Sequence, residues 1–286
     1  MSTRLRATMK GKAIYSGLSN LRQPRSRRPP SRKTAMLNKI LIAAALGGAT
    51  LTAHAADNAD KAIRDAIHAL VPTAQIDSVD KSVLPGFYEV GIGHAVVYAS
   101  ADGKYLLQGN LYDMANKLDL TEARLAKSRK SVLDGVPVSK RIVFAPKTTK
   151  HVVTVFTDVD CPYCRKFHEQ MADYNKAGIE VQYMLFPLSI HPGSDKKTVS
   201  VWCSTDRNAA WNAAMLGKDP GSKTCDNPIA ETMKIGNDIG VNGTPSFYAE
   251  DGTQIQAQVA YSPPQLAAEL DRIAAQKKVA TSGGTQ

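Results

Sequence analysis

Residues 155–165 read VFTDVDCPYCR. An apolar, β-branched run meets Asp158 and Asp160, and then two cysteines stand either side of Pro162 and Tyr163. Upstream residues extend the run to HVVTVFTD (151–158), the pattern of a central strand buried on both faces. The cysteine pair opens a helix that reaches about Asn175. Gly178 breaks it, and IEVQYMLFP (179–187) is a second strand. Strand, helix and strand make a βαβ unit with a parallel sheet.

A Cys-x-x-Cys at the junction of strand and helix puts its first sulfur at the helix N-terminus, where unsatisfied N–H groups and the macrodipole favour an anion. The thiolate is the nucleophilic form, so this location lowers the pKa of Cys161 and makes it reactive. Pro162 suits the first turn, where its missing N–H has no partner to lose. Cys164 lies on the same helix face and can attack a mixed disulfide formed at Cys161. A zinc site would need four ligands, usually with a second close pair. Cys203 and Cys225 are 22 apart, and His151, His168 and His191 have no ligand spacing, so no metal and no other cofactor is expected. The three histidines read as surface or packing residues. Asp160 is expected to point to solvent or cap the helix, because a negative charge facing Cys161 would raise the thiol pKa.

The redox compartment follows from the N-terminus. Residues 1–55 carry 11 Lys and Arg and no acid, leaving 25 bases against 26 acids in the rest, so the net charge of +10 is no nucleic-acid footprint. Residues 1–35 are basic and Pro-rich, the composition of a disordered extension. From Met36, MLNKILIAAALGGATLTAHA (36–55) has the Lys39 n-region, an apolar run and a small-x-small end, a signal peptide with cleavage before Ala56; Met36 is the expected true start. About a dozen apolar residues are too few for a membrane anchor. In an exported protein cysteines tend to pair. Four of them allow three pairings, and spacing favours Cys161 with Cys164, leaving Cys203 with Cys225. A bridge across Cys161 and Cys164 closes a tiny loop and staples little, whereas Cys203 to Cys225 closes a loop of useful size.

Between signal and βαβ unit, residues 56–117 read as one amphipathic helix (Ile63, Ile67, Leu70) and a few short strands with an Asp102–Gly103 hairpin signal. So thin a core is marginal alone, and pairing with a second copy would cure it. Residues 118–137 form a helical linker, with a capping box at Asp119 and Glu122 and a Lys- and Arg-rich, solvated surface. Residues 138–276 hold the βαβ unit, a helical stretch from Lys196 to Gly240, two strands around an Asp251–Gly252 turn and a last helix begun by Pro263 and Pro264; 277–286 are a tail. VNGTPSF (241–247) sets Thr244 and Pro245 just before a strand, where proline removes a ladder donor and needs special geometry. In thioredoxin-like proteins a cis proline sits there, opposite the cysteine pair, and leaves the backbone of the preceding residue free to bind an extended substrate.

HVVTVFTDVDCPYCRKFHEQMADYNKAGIEVQYMLFP (151–187), Trp202 with Cys203, Cys225, GVNGTP (240–245) and DGKYLLQGNLYD (102–113) together resemble the bacterial periplasmic disulfide isomerases of the DsbC type. The resemblance implies an α/β thioredoxin-like catalytic domain with an inserted helical segment, preceded by a small α+β dimerisation domain and a helical linker, in a V-shaped homodimer around an apolar cleft. It further implies that Cys161 attacks wrong disulfides of unfolded or misoxidised exported proteins, that Cys164 resolves, that Thr244, Pro245 and Tyr163 contact substrate, that Cys203 and Cys225 form a structural bridge, and that a membrane thiol reductase of the DsbD type keeps the pair reduced. The usual isomerase pair encloses Gly and Tyr. Pro162 here matches glutaredoxins and DsbG proteins instead, which leaves reduction of oxidised cysteines as one alternative; a chaperone whose dimer cleft holds unfolded chains without redox turnover is another.

Overall fold

The computed structural model describes residues 48–282, so the extension and most of the signal segment lie outside the described residues. Helix α1 (Gly48–Leu70) is followed by an antiparallel meander of β1 (Ile76–Lys81), β2 (Phe87–Ile92), β3 (Ala95–Ser100) and β4 (Leu106–Leu107), in that sheet order. Ile63 and Ile67, one turn apart on α1, pack on Val90, Val97 and Ala99 from alternate positions of β2 and β3. The Asp102–Gly103 turn lies directly against the helix. Gly103 has φ +71°, and a Cβ there would stand 2.7 Å from the Ala62 carbonyl oxygen. Asp102 fixes the turn by accepting from Ser100 Oγ at 2.6 Å and Lys104 N at 3.1 Å.

A small ribbon of β5 (Tyr112–Asp113) and β6 (Leu118–Asp119) leads into α2 (Leu120–Asp134). Asp119 caps α2 by accepting from Glu122 N at 2.9 Å. Glu122 does not complete the box by reaching back. Its carboxylate takes Arg129 and the backbone N–H of Gln254. Nor is α2 a solvated spacer, since Ala126, Arg129 and Leu133 are buried. The basic composition misleads because Arg129 is compensated inside: it bonds Glu122 through both terminal nitrogens (2.6 and 3.2 Å) and the Gly252 carbonyl at 3.2 Å, and lies over the Tyr248 ring.

The second sheet has the order β11–β10–β8–β9–β7, from β7 (Ile142–Phe144), β8 (His151–Thr157), β9 (Ile179–Leu185), β10 (Ser246–Ala249) and β11 (Gln254–Ile255). β8 and β9 are parallel, and the other neighbours antiparallel. β8 is apolar on both faces because both are covered. Val153 and Val155 belong to the core with Phe167, Tyr174, Trp211 and Leu270. Phe156 turns to a second core with Met184, Phe186, Tyr248 and the Leu133 end of α2. Between β8 and β9 run α3 (Pro162–His168) and α4 (Met171–Lys176). The stretch from 196 to 240 is not continuous helix. α5 (Ser194–Trp202), α6 (Arg207–Met215) and α7 (Ile229–Asp238) are separated by loops, the longer of which contains Gly217, Pro220 and Pro228 and is tied back by a Cys203–Cys225 disulfide. Short α8 (Ala257–Ala260) and α9 (Pro263–Ser282) close the fold, α9 continuing through residues read as a tail.

Candidate active site

β8 ends at Thr157, and the chain turns through Asp158–Asp160 into α3. Cys161 is the N-cap, with extended backbone (φ −73°, ψ 119°), and Pro162 opens the first turn. Neither cysteine is in a disulfide and both are buried, Cys161 to 3% exposure and Cys164 to 1%, whereas Tyr163 between them is 64% exposed. The peptide joining Thr244 to Pro245 is cis, and the Thr244 carbonyl lies 3.2 Å from Cys161 Sγ, a hydrogen bond that Cys161 donates only while it is a thiol. Cys161, Cys164, Thr244, Pro245 and Tyr163 thus meet at one end of β8 and β10. Cys203 and Cys225 lie in their own bridge.

The two sulfurs differ in acidity for physical reasons. The Cys161 thiol is lowered to about 5, first by a hydrogen bond from Cys164, then by Thr244 and the backbone N–H groups of Cys164 and Tyr163, against the cost of burial. Cys164 is pushed well up, first by burial and then by its neighbour Cys161. One proton is therefore held between the two sulfurs, on the inner one.

Asp160 neither points to solvent nor caps the helix. Its carboxylate is mostly buried, bonded to Arg165 Nη2 at 2.9 Å and to Lys197 Nζ at 2.9 Å through both oxygens. Two cations thus neutralise the charge that would have opposed the thiolate. Asp158, to which its local sequence assigns no role, is fully buried and accepts from Asp160 N (2.9 Å), Leu188 N (2.8 Å), His191 Nδ1 (2.6 Å) and Ser194 Oγ. It pins the active-site turn to residues 188–194. An acid placed at the end of a buried strand is the available signal, but its partners lie some thirty residues downstream and are invisible locally. Of the histidines, His168 is a packing residue between Tyr183 Oη and Asn212, and His151 pairs with Asp271. Among the described residues no group of three or more His, Cys, Asp or Glu side chains could hold a metal ion.

Comparison with known proteins identifies the family. The family model for the "disulfide bond isomerase protein N-terminal domain" matches residues 53–122, and that for a "thioredoxin-like domain" matches 138–274. The thiol:disulfide interchange protein DsbC of Dickeya dadantii is 38% identical over 229 residues, covering 79% of this chain and 91% of that protein. The chain belongs to the DsbC family. It is a thiol:disulfide interchange enzyme with the thioredoxin-like α/β fold. DsbC of Escherichia coli is 35% identical over 190 residues, with 65% of this chain and 77% of that protein covered. A disulfide interchange protein of Neisseria gonorrhoeae of known crystal structure is 35% identical, covering 40% of this chain and 81% of that one at a TM-score of 0.36.

Proposed function

We propose that this DsbC-family enzyme reshuffles wrong disulfides in exported proteins, with Cys161 as the attacking thiolate and Cys164 as the resolving thiol. The observation that carries the assignment is the opposed acidity of the two sulfurs, one anionic at the helix N-terminus and one protonated beneath it. Cys161 attacks a substrate disulfide. The substrate S–S bond breaks, one substrate sulfur leaves as thiolate, and the other is joined to Cys161. Another substrate thiolate then displaces Cys161, giving a new pairing with no net redox change. Alternatively Cys164 displaces the substrate, which leaves reduced, and the Cys161–Cys164 disulfide must be reduced again by an outside thiol donor, for which a membrane reductase of the DsbD type is the expected source. Exposed Tyr163 and the cis Thr244–Pro245 backbone flank Cys161 and form the contact for an extended substrate strand.

The periplasmic setting rests on the signal pattern of residues 36–55. Among the described residues no helix is long and apolar enough to cross a membrane. A homodimer is supported by β4, the edge strand of its sheet among the described residues, whose Leu106 and Leu107 are exposed together with Tyr105, Tyr112 and Met114. Cys203–Cys225 serves as a staple, far in sequence from the reactive pair.

The test is refolding of a scrambled multi-disulfide protein. Cys161→Ser should abolish reshuffling while the doubly substituted Cys161→Ser/Cys164→Ser chain still limits aggregation to whatever extent the fold alone holds unfolded chains. Retained reshuffling by Cys161→Ser would overturn the proposal, and activity only on single oxidised cysteines would favour the DsbG-like reductase instead.

A further inference from the structure

Single apolar residues on a surface are ordinary, and they ask for an explanation only where the fold is built to hold one out. Residues 188–191 are such a place. They form a turn closed by His191 N on the Leu188 carbonyl at 3.0 Å. Both ends of the turn are clamped to one atom, because Leu188 N (2.8 Å) and His191 Nδ1 (2.6 Å) donate to the same oxygen, Oδ2, of buried Asp158. The other oxygen takes Asp160 N at 2.9 Å and Ser194 Oγ. A fully buried carboxylate whose two oxygens are both doubly bonded resists displacement, so the turn is fixed. What the clamp leaves outside is Ile190, in the third position of the turn and 75% exposed.

The clamp also sets where Ile190 stands. Asp158 opens a second turn, closed by Cys161 N on the Asp158 carbonyl at 3.2 Å, so one residue joins the turn that delivers the nucleophile to the turn that carries Ile190. Sheet order gives the side. β8 lies between β10 and β9. β10 is antiparallel to β8, with Ser246 paired to Phe156, and so begins, just after Thr244 and Pro245, at the end of β8 that leads to Cys161. β9 is parallel to β8 and finishes at that same end, with Phe186 N bonded to the Thr157 carbonyl at 2.8 Å. The Thr244–Pro245 segment and the Ile190 turn therefore flank the Cys161 turn from opposite sides. We propose that Ile190 is a specificity-determining residue, a fixed apolar contact for an apolar side chain of the unfolded polypeptide whose disulfide Cys161 attacks. The occupant follows from the place. The reaction itself brings a substrate chain to Cys161, and an unfolded chain exposes the apolar side chains that a folded one buries. Because the turn is already ordered, the contact forms without the entropy cost of fixing a loop. No bond changes at Ile190, and the inference rests on the proposed attack of Cys161 on disulfides of unfolded proteins.

Two substrates isolate this contact. Reactivation of scrambled ribonuclease presents a polypeptide, whereas oxidation of the reduced enzyme by glutathione disulfide presents the same sulfur chemistry without apolar side chains. The quantity to read is the ratio of kcat/KM for the ribonuclease to the second-order rate constant for glutathione disulfide. In Ile190→Ser, which leaves every hydrogen bond of Asp158 in place, the ratio should fall about three- to tenfold, as expected for losing part of the burial of one isoleucine. The fall should come through KM and not kcat, and Ile190→Leu should return the ratio to near the parent value. An unchanged ratio in Ile190→Ser, or an equal fall in Ile190→Leu, overturns the inference. A fall carried by kcat also overturns it, since the effect then lies at the sulfur, and so does a lower scattering mass in Ile190→Ser, which would assign the residue to a second copy. A parent enzyme that reacts with glutathione disulfide but does not reactivate ribonuclease removes the proposed function and the inference with it, whereas a parent active on both with an unchanged ratio in Ile190→Ser removes the inference alone.

Discussion

At the scale of residues, the site is an exercise in placing charge. A thiolate at Cys161 beside an aspartate looks contradictory until Lys197 and Arg165 are counted, both on the Asp160 carboxylate at 2.9 Å. Asp160 is then a pinned structural anion whose net field at Cys161 is small. Lys197→Met, with the fold intact, should raise the Cys161 pKa by about half a unit, and removing Arg165 as well by about one unit, since partly exposed ion pairs are each worth well under a full unit. Titration of the thiolate ultraviolet absorbance reads this directly, and no upward shift would mean that Asp160 is not felt at Cys161. The pH dependence has a definite sign. Between about 5 and the ordinary value of 9.0 the unfolded thiol holds a proton that folded Cys161 has lost, so the reduced protein gains stability as pH rises through that window and loses the gain as pH falls through about 5. Cys164, raised by burial, acts in the opposite sense at higher pH.

At the scale of elements, close approach does what hydrogen bonding cannot. Gly236 brings α7 onto the sheet so tightly that a Cβ there would stand 2.4 Å from Phe186 Cε2 and 3.0 Å from Phe156 Cε1. Gly236→Ala should therefore cost about 1–3 kcal/mol through overpacking, seen as a lower urea midpoint with unchanged slope; an unchanged midpoint would mean the rings move aside freely. This scale also divides what was legible from what was not. The β8 run, the cysteine pair opening α3, the Asp119 cap of α2 and the turn at Gly252 are written in adjacent residues, where period and propensity suffice. The stretch from 196 to 240 reads as one helical run only if the cap at Asp206 and the breakers Gly217, Pro220 and Pro228 are passed over, and these are what separate the three helices between 194 and 238. The burial of Arg129 was missed because its partner carbonyl, Gly252, lies 123 residues away. The active site divides the same way: both sulfurs and Pro245 announce themselves, whereas Asp158 and Lys197 acquire their roles only from chain that returns to them.

At the scale of the whole molecule, α2 is a structural member of the catalytic domain as well as the connection to the N-terminal sheet. Its first half reaches that sheet through Arg124, which pairs with Asp80 and Glu89, and through Thr121, bonded to Tyr98 Oη at 2.6 Å; its second half docks on Tyr248 and the Gly252 turn. The exposed apolar edge at β4 is the surface proposed above for a second copy. Light scattering at micromolar concentration should give about twice the mass of the mature chain, and Leu107→Asp should shift it toward the monomer by placing a charge in a strand pairing. A monomeric parent would remove the basis for a shared cleft.

The division of labour between the sulfurs admits one direct measurement: the rate of alkylation of the reduced enzyme as a function of pH, with the labelled residue located by peptide mass. A rate that rises with a midpoint near 5 and a label confined to Cys161 is the result predicted by an anionic outer and a protonated inner sulfur. A midpoint near the ordinary thiol value, or label on Cys164 at a comparable rate, would contradict it.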